Sequence, residues 1–294
     1  MTPDYPSSTA VICHDAGAAN VIIAALKHSG RTDWRACMQG PAYRLWIESF
    51  PEIPVYETPE EALEGVELLI SGTGWASDCE HLARLAARRM NIPSVAVIDH
   101  WVNYAERFVR DAEVVWPDEF WVTDEDALAI AQASFPGARV VQVENWYLRQ
   151  QLAKIAAVPR PLMPELLYVL EPARSDWGRG HPGEFQALDY FVEKLSLLDL
   201  PSTIQIRLRP HPSDPLGKYD DWIRRHPQLN LILDDSPAIF ESLGRADWVA
   251  GCESFALALA LQAGRVVYCT QPPWAPPCRL PQSGLIRLGE LDYK

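Results

Sequence analysis

Four short segments of this chain carry more chemistry than a turn requires. In HDAGAAN, His14 and Asp15 stand side by side and lead into Ala16 and Gly17. An imidazole beside a carboxylate is a general-base pairing. A small-residue turn that opens a helix also presents backbone N–H groups to an anion or a hydroxyl-rich ligand. The plainer alternative is that Asp15 only caps the helix. In SGTGW, Gly72 and Gly74 flank Thr73, which lets backbone and ligand come close. This segment has neither the GxGxxG spacing of a dinucleotide site nor the Lys-Ser/Thr ending of a P-loop. Asp99-His100-Trp101 crowds charge and aromatic rings into a third exit, where Asp99 capping and Trp101 packing are the plainer roles. Arg107, a little further on, reads as a solvated arginine, with contact to an acidic acceptor as the alternative.

The fourth segment is IRLRPHPSD, with Arg207, Arg209, His211 and Ser213. Pro210 and Pro212 remove two donors and stiffen the backbone. Guanidinium groups grip phosphate or carboxylate with two parallel bonds. Alternation along a strand sets Arg207 and Arg209 on one face. They read as a phosphate cradle, unless an anion such as Asp214 makes them a structural pair. Downstream, Cys252-Glu253-Ser254 precedes a helical run. The Ser254 hydroxyl and the free N–H groups of a first turn suit a phosphate, and Glu253 suits a pair of ribose hydroxyls. Ordinary capping by Ser254 is the alternative. No two histidines stand at a helical ligand spacing, and no metal is expected. GxSxG is absent, which argues against a serine hydrolase.

These segments sit at the exits of strand-like runs. Apolar runs at 10–13, 34–38, 54–57, 66–70, 94–98, 119–123 and 140–143 alternate with helical patterns at 19–26, 43–49, 60–64, 78–90 and 125–133. The spacing at 78–90 predicts Leu82, Leu85 and Ala86 on one face, with Arg84, Arg88 and Arg89 elsewhere. A proline-rich stretch at 150–163 reads as a linker. Strands then recur at 166–170, 202–208, 229–233, 248–251 and 266–269, with helices at 184–198, 222–225, 239–243 and 254–263. This alternation predicts an α/β protein with parallel sheets covered by helices. A length of 294 residues suits two domains, set at 1–157 and 158–294. Two Rossmann-like domains are expected to face across a cleft at the carboxyl ends of their strands.

A formal charge of −13 argues against a non-specific nucleic-acid partner. It does not exclude an anionic small substrate, because a few arginines can reverse the field locally. The six cysteines show no CxxC pair and read as reduced thiols. The longest apolar run, 255–261, is far below the roughly 18–20 residues that span a bilayer. The polar N-terminus lacks the basic start of a signal peptide. A cytoplasmic protein without a transmembrane segment is expected, with peripheral membrane contact left open. Eleven tryptophans suit packing, and their faces also suit sugar rings.

With two Rossmann-like halves, Arg-Pro-His-Pro, and a strand–serine–helix in the second, the chain resembles the GT-B glycosyltransferases. It is most similar to the bacterial capsule and lipopolysaccharide enzymes that use CMP-activated acidic sugars (sialyl-, polysialyl- and Kdo-transferases). His211-Pro212 looks like their HP motif and Glu253-Ser254 like their serine motif, although Cys252-Glu253-Ser254 stands where that family often has paired serines. GTGW and DHWVNYAERF also look like proteins found beside nonulosonic-acid genes. The resemblance implies metal-independent, inverting sugar transfer from a nucleotide-sugar donor, CMP-linked in those enzymes, to a surface-glycan or glycoconjugate acceptor. No cofactor other than the donor substrate is implied. The N-terminal domain would hold the acceptor through Gly17, Gly72, Thr73, Gly74, Asp99 and His100, with Asp15 and His14 catalytic. The C-terminal domain would bind the nucleotide through Arg207, Arg209, His211, Glu253 and Ser254. Two alternatives stand beside it: a non-catalytic nucleotide-sugar binding module, and a sugar-nucleotide epimerase or glycerophosphotransferase of the same fold.

Overall fold

Thr9–Cys13 (TAVIC) is buried at every position and forms β1, the strand from which a first sheet grows. The computed structural model describes residues 5–74, 76–173 and 175–293, so that Met1 to Asp4 of the N-terminus and Trp75 of SGTGW lie outside them. After β1 come α1 (Ala16–Ser29), β2 (Trp34–Met38), α2 (Gly40–Ser49), α3 (Pro59–Leu63), β3 (Leu68–Ser71), α4 (Cys79–Met90) and β4 (Ser94–Val97). A small antiparallel hairpin, β5 (Val109–Arg110) with β6 (Glu113–Val114), precedes β7 (Glu119–Val122), α5 (Glu125–Ser134), β8 (Arg139–Gln142) and α6 (Trp146–Ala157). The first sheet runs β2-β1-β3-β4-β7-β8, parallel throughout, with Thr9 opposite both Trp34 and Leu68. Alternation on β1 feeds two cores. Val11 and Cys13 pack with α1 residues such as Ile22 and Leu26, while Ala10 and Ile12 pack with Leu63, Ala83 and Ala87 on the opposite face.

The second sheet is built from β9 (Glu165–Val169), β10 (Gln205–Arg209), β11 (Leu231–Leu233), β12 (Trp248–Gly251), β13 (Val266–Cys269) and β14 (Ile286–Arg287). Its helices are α7 (Gly183–Lys194), α8 (Asp220–Arg224), α9 (Ile239–Arg245) and α10 (Phe255–Gln262). The order β11-β10-β9-β12-β13-β14 is again wholly parallel, and its edge strands are only three and two residues long. Counted within this sheet the order is 3-2-1-4-5-6, the dinucleotide-fold order. Leu166, Tyr168, Phe191, Leu208 and Trp222 form its core. The α/β reading from sequence alternation therefore holds in both halves.

Three local expectations change. The strand expected at 54–57 is reduced to one parallel bridge, Ala36 to Val55, where a third strand of the first sheet would stand. Pro54 has no N–H to give, and Thr58 starts α3 at once through a capping box with Glu61. The expected linker at 150–163 is helical up to Ala157, because Gln151 and Ile155, one turn apart, bury a narrow stripe of α6. The chain divides into two compact units, Met1–Arg149 and Gln150–Lys294. On α4 the buried face is Glu80, Ala83, Arg84 and Ala87, whereas Leu82 is 48% exposed. The small alanines leave room for the Arg84 guanidinium. It donates to Ser71 Oγ, Gly72 O and Val115 O and lies over the Phe108 ring. No helix among the described residues is long and apolar enough to cross a membrane.

Candidate functional site

In an open parallel sheet, ligands bind beyond the carboxyl ends of the strands where the strand order reverses. In the first sheet that point lies between β1 and β3. β1 ends in His14 and Asp15, and β3 runs into Gly72-Thr73-Gly74. Asp15 stands at the N-cap of α1 in an extended conformation, yet its side chain caps nothing. Its Oδ1 meets His14 Nδ1 at 2.6 Å instead. Beside an ionised carboxylate, which only accepts, Nδ1 is the donor and Nε2 is the nitrogen left to take a proton. Both side chains are partly open to solvent, at 19% and 34%.

Two of the expected glycines are explained by the carboxylates beside them. A Cβ on Gly74 would lie 2.3 Å from Asp15 Oδ2, and one on Gly17 would lie 1.8 Å from Asp99 Oδ2. Thr73 is fully buried, donating to Val97 O and accepting from Arg107 Nη1, each at 3.1 Å. Arg107 also donates to Asp99 Oδ1 at 3.1 Å and is only 7% exposed. The solvated reading of Arg107 is thus corrected: Asp99 is its counter-ion, and the pair ties the β4 exit to the β3 exit. His14, Asp15, Gly17, Thr73, Gly74 and Asp99 are in this way gathered in one place. His100 follows Asp99, its ring 5.2 Å from that of Trp101.

Sequence reasoning missed Glu80 beneath this cluster. It is fully buried, and its Oε1 accepts the backbone N–H of His14 at 3.0 Å. A Cβ on Gly72 would meet the same oxygen at 2.4 Å. Burial pushes the Glu80 carboxyl up to about 6, against the pull of the His14 N–H and the Arg84 charge. The signal was its place one turn before Arg84 on α4, misread because the buried face was set at Leu82, Leu85 and Ala86 with Arg84 elsewhere.

The second unit places its expected residues differently. Arg207 and Arg209 do share a face, since both reach Asp234, at 3.8 and 2.5 Å. Their anions come from Glu165 on β9 and from Asp234 just past β11, not from Asp214. Arg207 bonds Glu165 at 3.1 and 3.3 Å, and Arg245 joins the same carboxylate. Burial pushes the Glu165 carboxyl up, but the Arg245 and Arg207 bonds outweigh it and hold it below the usual range. Arg209 also donates to Ser236 O and Ser242 Oγ. Neither guanidinium stands unpaired for a phosphate. His211 is exposed, with Nδ1 2.7 Å from Ser213 Oγ, while Asp214 closes the turn by accepting the His211 N–H.

At the β12 exit Ser254 Oγ accepts from Ala256 N, the ordinary cap. Glu253 is ion-paired with Arg279 at 2.5 Å. The backbone N–H groups of Glu253 and Ser254, expected to meet a phosphate, both donate to Glu171 Oε1 at 2.8 Å. Glu171 stands just past β9, across the order reversal of the second sheet. Burial raises its pKa against the pull of those two bonds. Its location at the end of the central strand was the available clue. Among the described residues no group of three His, Cys, Asp or Glu is arranged to hold a metal ion.

No protein-family model matches the chain, and no curated protein matches it. Solved structures do. The S. aureus MnaA–UDP co-structure matches with a TM-score of 0.60 at 11% identity, covering 89% of this chain and 79% of that one. The UDP-GlcNAc 2-epimerase from Neisseria meningitidis bound to UDP-GlcNAc matches with 0.60 at 12%, covering 89% and 82%. The glycotransferase of kitacinnamycin matches with 0.55 at 12%, covering 95% and 85%. The fold is GT-B. The likeness is one of fold, and two of these neighbours are described with UDP or UDP-GlcNAc.

Proposed function

We propose that this GT-B protein is a nucleotide-sugar enzyme that transfers a sugar to a hydroxyl acceptor, with His14 as the base and Asp15 as its orienting partner. The observation that carries the reading is the 2.6 Å contact between His14 Nδ1 and Asp15 at the order reversal of the first sheet. His14 Nε2 takes the acceptor proton as the hydroxyl oxygen bonds the anomeric carbon. The bond from that carbon to the donor phosphate breaks, and the nucleotide leaves. Asp15 stabilises the imidazolium that forms. Asp99 and His100 are proposed to meet acceptor hydroxyls, while the buried Thr73 holds Arg107 in place beneath them.

In the second unit, His211 and the Glu253 and Ser254 amides are proposed for the departing phosphate. Those amides serve an anion only when Glu171 gives way, because two carboxylate or phosphate groups cannot share the same two N–H donors. Arg207 and Arg209, held by Glu165 and Asp234, fix the end of β10 in this reading and touch no phosphate. The UDP in the neighbours' descriptions makes a UDP-sugar the first donor to test, with CMP-sugars beside it. A glycan or glycoconjugate acceptor, a role in polysaccharide synthesis and a cytoplasmic site of action are part of the same proposal.

The test is incubation with UDP-GlcNAc or CMP-sugars, with and without hydroxyl acceptors, followed by measurement of free nucleotide. Acceptor-dependent release that disappears in His14→Gln supports transfer. The likeness to 2-epimerases favours one second reading, which predicts an isomerised sugar without any acceptor. Donor binding without either outcome makes the protein a binding module.

A further inference from the structure

The long segment from Thr270 to Leu285 carries five prolines, which stiffen it. It is also pinned at two places. Trp274 Nε1 donates to Gln186 Oε1 at 2.7 Å, and Gln271 Nε2 donates to Pro276 O at 3.0 Å. Arg179 lies over the Trp274 ring, 3.6 Å from its centre. The segment thereby delivers Cys278 back to the end of β13, where Cys269 stands. Cys269 Sγ donates to Cys252 O at 3.2 Å, and Cys278 Sγ donates to the same oxygen at 3.6 Å. The two thiol side chains also interact directly. Two sulfurs converging on one carbonyl from a rigid loop and a strand end form a pair ready to join.

We infer that Cys269 and Cys278 are a peroxide-oxidisable dithiol that closes to a reversible disulfide. Cys278 is the attacking sulfur. It is partly exposed, while Cys269 is 2% exposed. The neighbouring Cys269 thiol, the Leu280 N–H and the Arg287 charge favour its thiolate, and together they outweigh burial and the Glu253 charge. The thiolate attacks the peroxide: an S–O bond forms, the O–O bond breaks, and hydroxide leaves. Cys269 then attacks that sulfur. The S–S bond forms as the S–OH bond breaks, and the Cys269 proton completes a second water. Two thiols are oxidised and one peroxide is reduced to two waters. The product has no S–H, so Cys252 O loses both thiol donors immediately before Glu253.

The first unit supplies a control. Cys37 and Cys79 also interact directly but are 0% and 4% exposed. The experiment is titration of the full chain with hydrogen peroxide, read by intact mass, free-thiol count and peptide mapping. The expected product is lighter by about 2 Da, has lost two thiols, maps to a Cys269–Cys278 link and returns to the starting mass with dithiothreitol. Cys269→Ser should leave Cys278 as a sulfenic acid that dimedone traps, and Cys278→Ser should leave Cys269 reduced. A link mapped elsewhere, equal closure of Cys37–Cys79, or Cys278 still reduced after Cys252 has reacted overturns the inference. If either variant fails to fold, the wild-type map alone decides.

Discussion

Asp15 turns its carboxylate to His14 and leaves the first turn of α1 without a side-chain cap. On the proposed function, His14→Gln or Asp15→Asn should lower kcat for nucleotide release by about 10²- to 10⁴-fold with little change in donor KM. Unchanged kcat in both would remove the assignment. Glu80 gives a separate prediction in stability. Its folded pKa, about 6, lies above the ordinary 4.5. Its favourable contribution is therefore complete below pH 4.5 and is lost as pH rises through 6. Glu80→Gln should lack that loss. Relative to wild type, the variant should gain about 2 kcal/mol between pH 4 and pH 7, read from urea midpoints. The change with pH is the readout, because removing the charge also takes an anion from Arg84 at every pH above 6. At this scale the sequence singled out residues whose chemistry exceeded their local duty, and the structure gathers three of them, His14, Thr73 and Asp99, at one end of the first sheet. The sequence was illegible at Arg84 and Arg107. A long cation reads as solvated until carbonyls, an aromatic ring or a distant carboxylate are known to surround it.

The helix that follows β1 shows how one element depends on another's side chain. Alanine ordinarily improves a helix over glycine by about 1 kcal/mol. At Gly17, inside α1, a methyl would strike Asp99 Oδ2, and Asp99 is tied to Arg107. Overpacking should win, so Gly17→Ala should cost about 1–3 kcal/mol in urea unfolding. A gain in stability would mean that Asp99 is free to swing away. At α3 the cap is complete in itself, and Thr58→Ala should cost about 1 kcal/mol by the same measurement. Most elements were legible because apolar runs and helical spacing coincide with them. Val55 was not, since an apolar pair between two prolines reads as a strand although it earns a single bridge. β14 and the β5–β6 hairpin were also missed, because two-residue strands have no period to read.

Across the whole chain, alternation was enough to predict two parallel α/β halves. The anions that hold Arg207 and Arg209 were not predictable, as they stand 42 and 25 residues away and meet only when β9, β10 and β11 pair. If the chain takes a UDP-sugar, UDP at about 100 times its Kd should raise folding stability by about 2.7 kcal/mol, read as a thermal shift. A shift with CMP and none with UDP would return the donor to the CMP class. The two flanks of the second sheet, three and two residues long, have a further effect. A stray extended peptide laid along either margin would find only two or three rungs on which to anchor, too few to template stacking between copies. The brevity of these borders limits edge-to-edge pairing between folded copies of this half.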